Sequence, residues 1–250
     1  MNKKIYLLSF LFLILLFSIL TAETQDISPL IKTTWKQRDA YALFSPKQER
    51  LGCWSVALAQ ILFHHGLIPS GQTSYKGKIY TVSADFDNPS IDLKKIISKI
   101  NHSTSEINKT ETARYLWYVA LITGKDFGTG NYIGNSDVRR ERLEKHFKVK
   151  TKRIRYPESS RNDIEKYIKD KLKNNHPLLL FVEGEEAGDE GFGHALVIDG
   201  FKRESDNFLV HLNFGWEGIS DGWYDLWKPI KSNYGNYNKT ERWIMAIRPY

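Results

Sequence analysis

An α+β fold with an antiparallel sheet is what this sequence predicts, and three observations carry the prediction. Helix-type patterns fill the first part of the chain, short β-type runs crowd the part after Pro177, and the stretch from Trp54 to Phe63 is apolar or small except at Ser55 and Gln60. Helices first and strands last favour segregated layers over an alternating parallel sheet, and a helix apolar on nearly every side is buried on nearly every side.

In chain order, Met1–Ala22 has two lysines, an apolar run from Ile5 to Leu20, then Thr21-Ala22. This is the pattern of a secretory signal, so the expected location is secreted or periplasmic, with no stable membrane insertion once the signal is removed. Residues 23–250 then form one unit, with a helical part at about 50–175 and a sheet part at about 176–250. The central helix begins at Cys53 and stops at Gly66. Further helices are expected at Ile91–Ile100 with Ser90 as cap, Thr110–Ile122, Ser136–Phe147 and Ser160–Asn174, with a strand at Gly77–Phe86 between them. The β-type runs are Leu178–Glu183, His194–Asp199, Phe208–Phe214, Trp223–Trp227 and Arg242–Arg248.

Of the 250 residues 41% are hydrophobic, enough for a sizeable core, and the formal charge of +7 falls by two without Lys3 and Lys4. So mild an excess is no nucleic-acid signature, and the basic Lys148–Arg155 reads as a solvated edge strand because it lacks interleaved aromatics. Glu183, Glu185, Glu186, Asp189 and Glu190 read as a solvated mobile loop, since their spacing is not that of a calcium loop. One cysteine excludes disulfides and multi-thiolate zinc, and no metal or cofactor is implied.

Cys53 falls in the first turn of the central helix, where unpaired N–H groups and the dipole favour a thiolate. A buried, inert cysteine is the alternative. A base for that thiol is offered by a hairpin, Gly193–Gly200 followed by Asn207–Trp216. With its turn centred between Arg203 and Glu204, His194 faces Asn213, close enough for an amide to hold one imidazole nitrogen. His64 and His65 lie about 16–18 Å from Cys53 by helix rise, too far to serve. In that register His211 faces Leu196 and gains no orienting partner, so it reads as a supporting or core histidine. His102, His146 and His176 carry no signal.

Four blocks together resemble the streptopain-type cysteine peptidases, which have a papain-like fold. They are Trp35-Lys36-Gln37-Arg38-Asp39-Ala40-Tyr41, Gly52-Cys53 with Ala57 to Ile61, Gly193–Gly200, and His211–Tyr224. The resemblance implies Cys53 as nucleophile, His194 as general base and acid, and Asn213 as the ring-orienting residue. It also implies an oxyanion site from the Gln37 amide and the Cys53 backbone N–H, with Trp216 and Phe214 shielding the pair. Without the resemblance Gln37 is a surface amide and Trp216 a core residue. Departures are Phe214 where the family has a tryptophan, Trp54-Ser55 where it has small residues, and only residues 23–34 before Trp35, with no room for a large propeptide.

The expected function is a secreted cysteine endopeptidase acting on protein or peptide substrates through an acyl-enzyme, with a separate inhibitor protein as one route to restraint. The alternatives are a papain-fold amidase or acyl transferase acting on cell wall, and a catalytically weak binding protein on the same fold.

Overall fold

The computed structural model describes residues 26–186 and 189–250, so the signal-type segment Met1–Ala22 lies outside the described residues. A six-stranded, wholly antiparallel sheet is the backbone of the molecule. In chain order its strands are β3 (Val149–Tyr156), β4 (Leu178–Glu186), β5 (Asp189–Glu204), β6 (Asn207–Asn213), β7 (Gly222–Asp225) and β10 (Arg242–Pro249). They lie in the order β3-β10-β4-β5-β6-β7. Two small hairpins complete the β structure: β1 (Gln72–Lys76) with β2 (Thr81–Asp85), and β8 (Ile230–Lys231) with β9 (Asn236–Tyr237).

The central strands are apolar at successive positions because both faces of the sheet are covered. Leu179, Ala195, Val197, Met245 and Ile247 face one core, shared with helices α1 (Cys53–His64), α2 (Glu106–Ile122) and α3 (Ser136–Phe147). Leu178, Leu180, Leu196, Ile198 and Ile244 face a second core with Ile164, Ile168 and Leu172 of helix α4 (Arg161–Lys173). The strand Val149–Tyr156 is an edge strand, as its basic pattern suggested.

Helix ends follow ordinary capping chemistry. Ser105, Asn135 and Ser160 side chains accept the backbone N–H groups that open α2, α3 and α4. The Ser105 cap starts α2 one turn earlier than its apolar pattern indicates. Ile91–Ile100, expected as a helix, forms only a 3₁₀ turn at Leu93–Lys95. Its backbone is taken by other partners: Ile97 O accepts the Trp35 indole at 2.8 Å, and Ile100 N–H donates to the Tyr41 hydroxyl at 2.8 Å. Four isoleucines weaken the competing helix. The acidic stretch before His194 is not a loop as expected. Its backbone continues the β4–β5 pairing out to Glu185 opposite Glu190 and Glu186 opposite Asp189.

At the C-terminal end of α1, His65 lies against His64 and His176, with ring centroids 5.2 and 5.0 Å away. Burial first, then these two rings, push its pKa from 6.5 down to about 4. Between those values the unfolded ring binds a proton that the folded ring refuses, so stability present above pH 6.5 is lost as pH falls towards 4. The chemical-denaturation midpoint is therefore expected to drop on acidification through this window, and His65→Gln is expected to flatten the drop.

Candidate active site

The chain enters α1 through Gly52 at φ +88°, and a Cβ there would collide with the Tyr132 hydroxyl. Only glycine meets both requirements. Cys53 follows as the first helical residue, its sulfur against the backbone N–H of Ala195 and the N–H groups of Cys53 and Trp54. Those donors and the Arg50 charge favour a thiolate, but burial is the larger effect and pushes the thiol up. Against the thiolate expected from helix position, removal of the sulfur from water outweighs the helix terminus and shifts the thiol up.

Ala195 is the residue after His194, so the same contact sets the Cys53 sulfur beside the backbone of the strand that carries His194. His194 is 4% exposed. Its Nε2 lies 2.9 Å from the Phe214 carbonyl oxygen. A carbonyl can only accept, so Nε2 carries the proton and Nδ1 keeps the lone pair. Burial lowers the pKa to about 4, the Phe214 carbonyl works against that fall, and the Arg50 charge adds to it. The ring is packed face-on by Trp216, with centroids 4.5 Å apart, and flanked by Phe214 and Tyr237 at 6.0 and 5.9 Å.

Asn213 does not face His194. The β5–β6 ladder sets Asn213 opposite Val197, because the turn is centred at Ser205-Asp206 and the register shifts between Ile198 and Gly200. The Asn213 Oδ1 accepts from Gln60 Nε2 and from Gly215 N–H, both at 3.0 Å, and its Nδ2 donates to Thr33 O at 2.9 Å. The Thr33 hydroxyl closes a ring by donating to Gln60 Oε1 at 2.9 Å. All three residues are at most 8% exposed. The same register correction moves His211 opposite Gly200. Its Nδ1 then pairs with the buried Asp199 carboxylate at 2.7 Å, a partner the sequence reading did not provide.

Gln37 is only 8% exposed, so it is no surface amide. Buried Trp35 and Tyr41 anchor its segment on either side, and Gln37 O accepts the Leu51 N–H at 3.0 Å, two residues before Cys53. Its side-chain amide has no hydrogen-bond partner among the described residues. Lys36 bonds Glu217 at 2.8 Å, tying this segment to the loop that carries Trp216. Trp54 is 7% exposed and packs on Phe181 and Trp243. Ser55 is buried against the Thr123 hydroxyl at 3.0 Å.

Sequence reasoning missed the Phe214 carbonyl and Tyr237. A backbone acceptor has no residue-type signal, and Tyr237 lies in a two-residue strand too short for a periodic pattern. Gln60 was visible as a polar interruption of an apolar helix.

Residues 35–224 match the peptidase C10 family. The chain belongs to the peptidase C10 family. Streptopains of Streptococcus pyogenes, from serotype M28 and from serotype M1, are 26% identical to it over 92% of this chain. The chain spans 65% of the length of these relatives. The fold is that of a solved structure, the active wild-type interpain A cysteine protease of Prevotella intermedia. That structure superposes with a TM-score of 0.77 at 21% identity, covering 88% of this chain and 94% of its own. A prointerpain A fragment from the same organism gives a TM-score of 0.70 at 22% identity, covering 88% of this chain and 71% of the fragment. This C10 family chain is therefore papain-like in fold, with a helical layer on an antiparallel sheet.

Removal of the Gln60 side chain orphans the Thr33 hydroxyl and takes one donor from Asn213. Gln60→Leu is expected to cost about 1–3 kcal/mol, read as a lower denaturation midpoint at unchanged slope.

Proposed function

We propose that this chain is a secreted cysteine endopeptidase in which Cys53 is the nucleophile and His194 the base and acid. The observation that carries the reading is the Cys53 sulfur against the Ala195 N–H, while the neighbouring His194 keeps Nδ1 unprotonated by giving its Nε2 proton to Phe214. Family membership and the streptopain relatives support peptide substrates. The basic and apolar start of Met1–Ala22 supports export.

In this mechanism both groups rest uncharged. As substrate excludes water, Nδ1 takes the thiol proton and the sulfur attacks the scissile carbonyl carbon. The oxygen that becomes negative accepts from the Cys53 N–H and the Gln37 side-chain amide, whose lack of a protein partner suits that use. Nδ1 then delivers its proton to the leaving amine, and the C–N bond breaks to leave a thioester. His194 next takes a proton from water, hydroxide adds to the thioester, and the acid product leaves as the proton returns to sulfur. Trp216 holds the ring and keeps water from it. Asn213 serves as a scaffold, acting on the ring only through the Phe214–Gly215 peptide.

Cys53→Ala is expected to abolish casein hydrolysis while leaving the circular-dichroism spectrum and denaturation midpoint near wild type. His194→Ala is expected to lower turnover by orders of magnitude, and Gln37→Ala by about a hundred- to a thousandfold. A Cys53→Ala protein that still cleaves casein refutes the mechanism. Release of fragments from purified cell wall, with casein untouched, would instead identify an amidase.

A further inference from the structure

Phe214 takes part in the site through its backbone, and both peptide groups around its α-carbon are clamped. On one side, the Gly215 N–H, which shares a peptide unit with the Phe214 carbonyl, donates to Asn213 Oδ1 at 3.0 Å. On the other, the Phe214 N–H donates to the carboxylate of Asp221 at 2.8 Å. Between the clamps, the Phe214 carbonyl accepts the His194 Nε2 proton. Two fixed peptide planes leave that carbonyl no freedom to turn away.

We propose that Asp221 is a positioning residue for the reaction: by gripping the Phe214 N–H it aims the Phe214 carbonyl, which holds His194 in the Nε2–H tautomer. The proposal rests on the assignment of His194 as the base.

A neutral acceptor would complete the turn at lower cost. Asp221 is half-buried, and burial raises its carboxyl above the ordinary range against the help of the Phe214 N–H. Charge-assisted bonds are shorter and about twice as strong as neutral ones, which suits a clamp that must hold while the ring gains and loses a proton. The charges that Asp221 meets are His211 of β6, which favours its ionised form, and Asp199 of β5, which opposes it. Tyr224 of β7 feels the Asp221 charge in turn. On the imidazole side the facing charge is Arg50. Protonation of Asp221 therefore loosens the clamp.

Two variants and one wild-type measurement test this. Asp221→Asn keeps the shape with a neutral acceptor, and Asp221→Ala removes the acceptor. Expected is a graded loss of kcat, about tenfold or less for Asn and more for Ala, with KM within about twofold. The decisive readout is ¹⁵N-histidine NMR: wild type holds His194 as the Nε2–H tautomer, and Asp221→Ala shows a mixture, which a merely destabilised fold would not produce. Iodoacetamide is expected to modify Cys53 more slowly in both variants near neutral pH. At alkaline pH, where the thiol ionises unaided, the rates should converge. If Asp221→Ala does not fold, Asp221→Asn and the wild-type Phe214 amide proton decide. That proton should titrate with Asp221. An unchanged tautomer and alkylation profile in the folded variants overturns the proposal, as does a Phe214 amide blind to acidification. If instead His194→Ala retains wild-type turnover, it is the assignment of the base that fails.

Discussion

A closed ring of three buried side chains, Thr33, Gln60 and Asn213, holds together the parts of the molecule that matter for chemistry. Each member belongs to a different element: the segment leading to Gln37, the helix that begins with Cys53, and the end of β6. In a dry core such a ring has no competing water, and each bond polarises the next. Its geometry sets how far the Gln37 amide, the Cys53 sulfur and the Phe214 carbonyl stand from one another. Glycine extends the same logic where the chains come closest: Gly215, at φ +66°, lies so near α1 that a Cβ would press on Val56 at 3.0 Å.

Desolvation then decides the electrical state of the site. A helix terminus offers an anion roughly 0.3–1 kcal/mol at exposed sites and up to about 2 in partly buried ones. Removing a charge from water costs several kcal/mol per ion even after relaxation. Cys53 and His194 both lie on the losing side of that comparison, the thiol shifted up and the imidazole down. Their neutrality is a property of the cavity, and a protonated sulfur is a poor target for oxidants.

Much of this was legible in the sequence, and the failures have identifiable causes. Cys53 at the start of a helix that is buried on nearly all sides followed from ten residues of composition. The strands after Pro177 followed from short β-type runs. The hairpin register did not, because Ser205-Asp206 forms the turn two residues beyond the assumed centre and Asp199 is absorbed in an irregularity that no periodicity announces. That single slip misplaced Asn213 and deprived His211 of its carboxylate. Ile91–Ile100 failed for the opposite reason: its local pattern was read correctly, but Trp35, Thr112 and Tyr41 compete for its backbone. The acceptor for His194 is a main-chain atom, which every residue possesses and no motif displays.

The position of β10 has a consequence for synthesis. Although β10 is the last strand made, it sits inside the sheet, between β3 and β4. A ribosome releasing this chain from its N-terminus exposes β3 long before the partner that must cover it, while β4, β5 and β6 can pair among themselves. The two halves of the sheet join only when residues 242–249 emerge. Until then Leu179 and Phe181 lack the neighbours against which α1 packs, and Cys53 has no fixed seat. Arrival of β10 is the event that turns two separate halves into one continuous sheet.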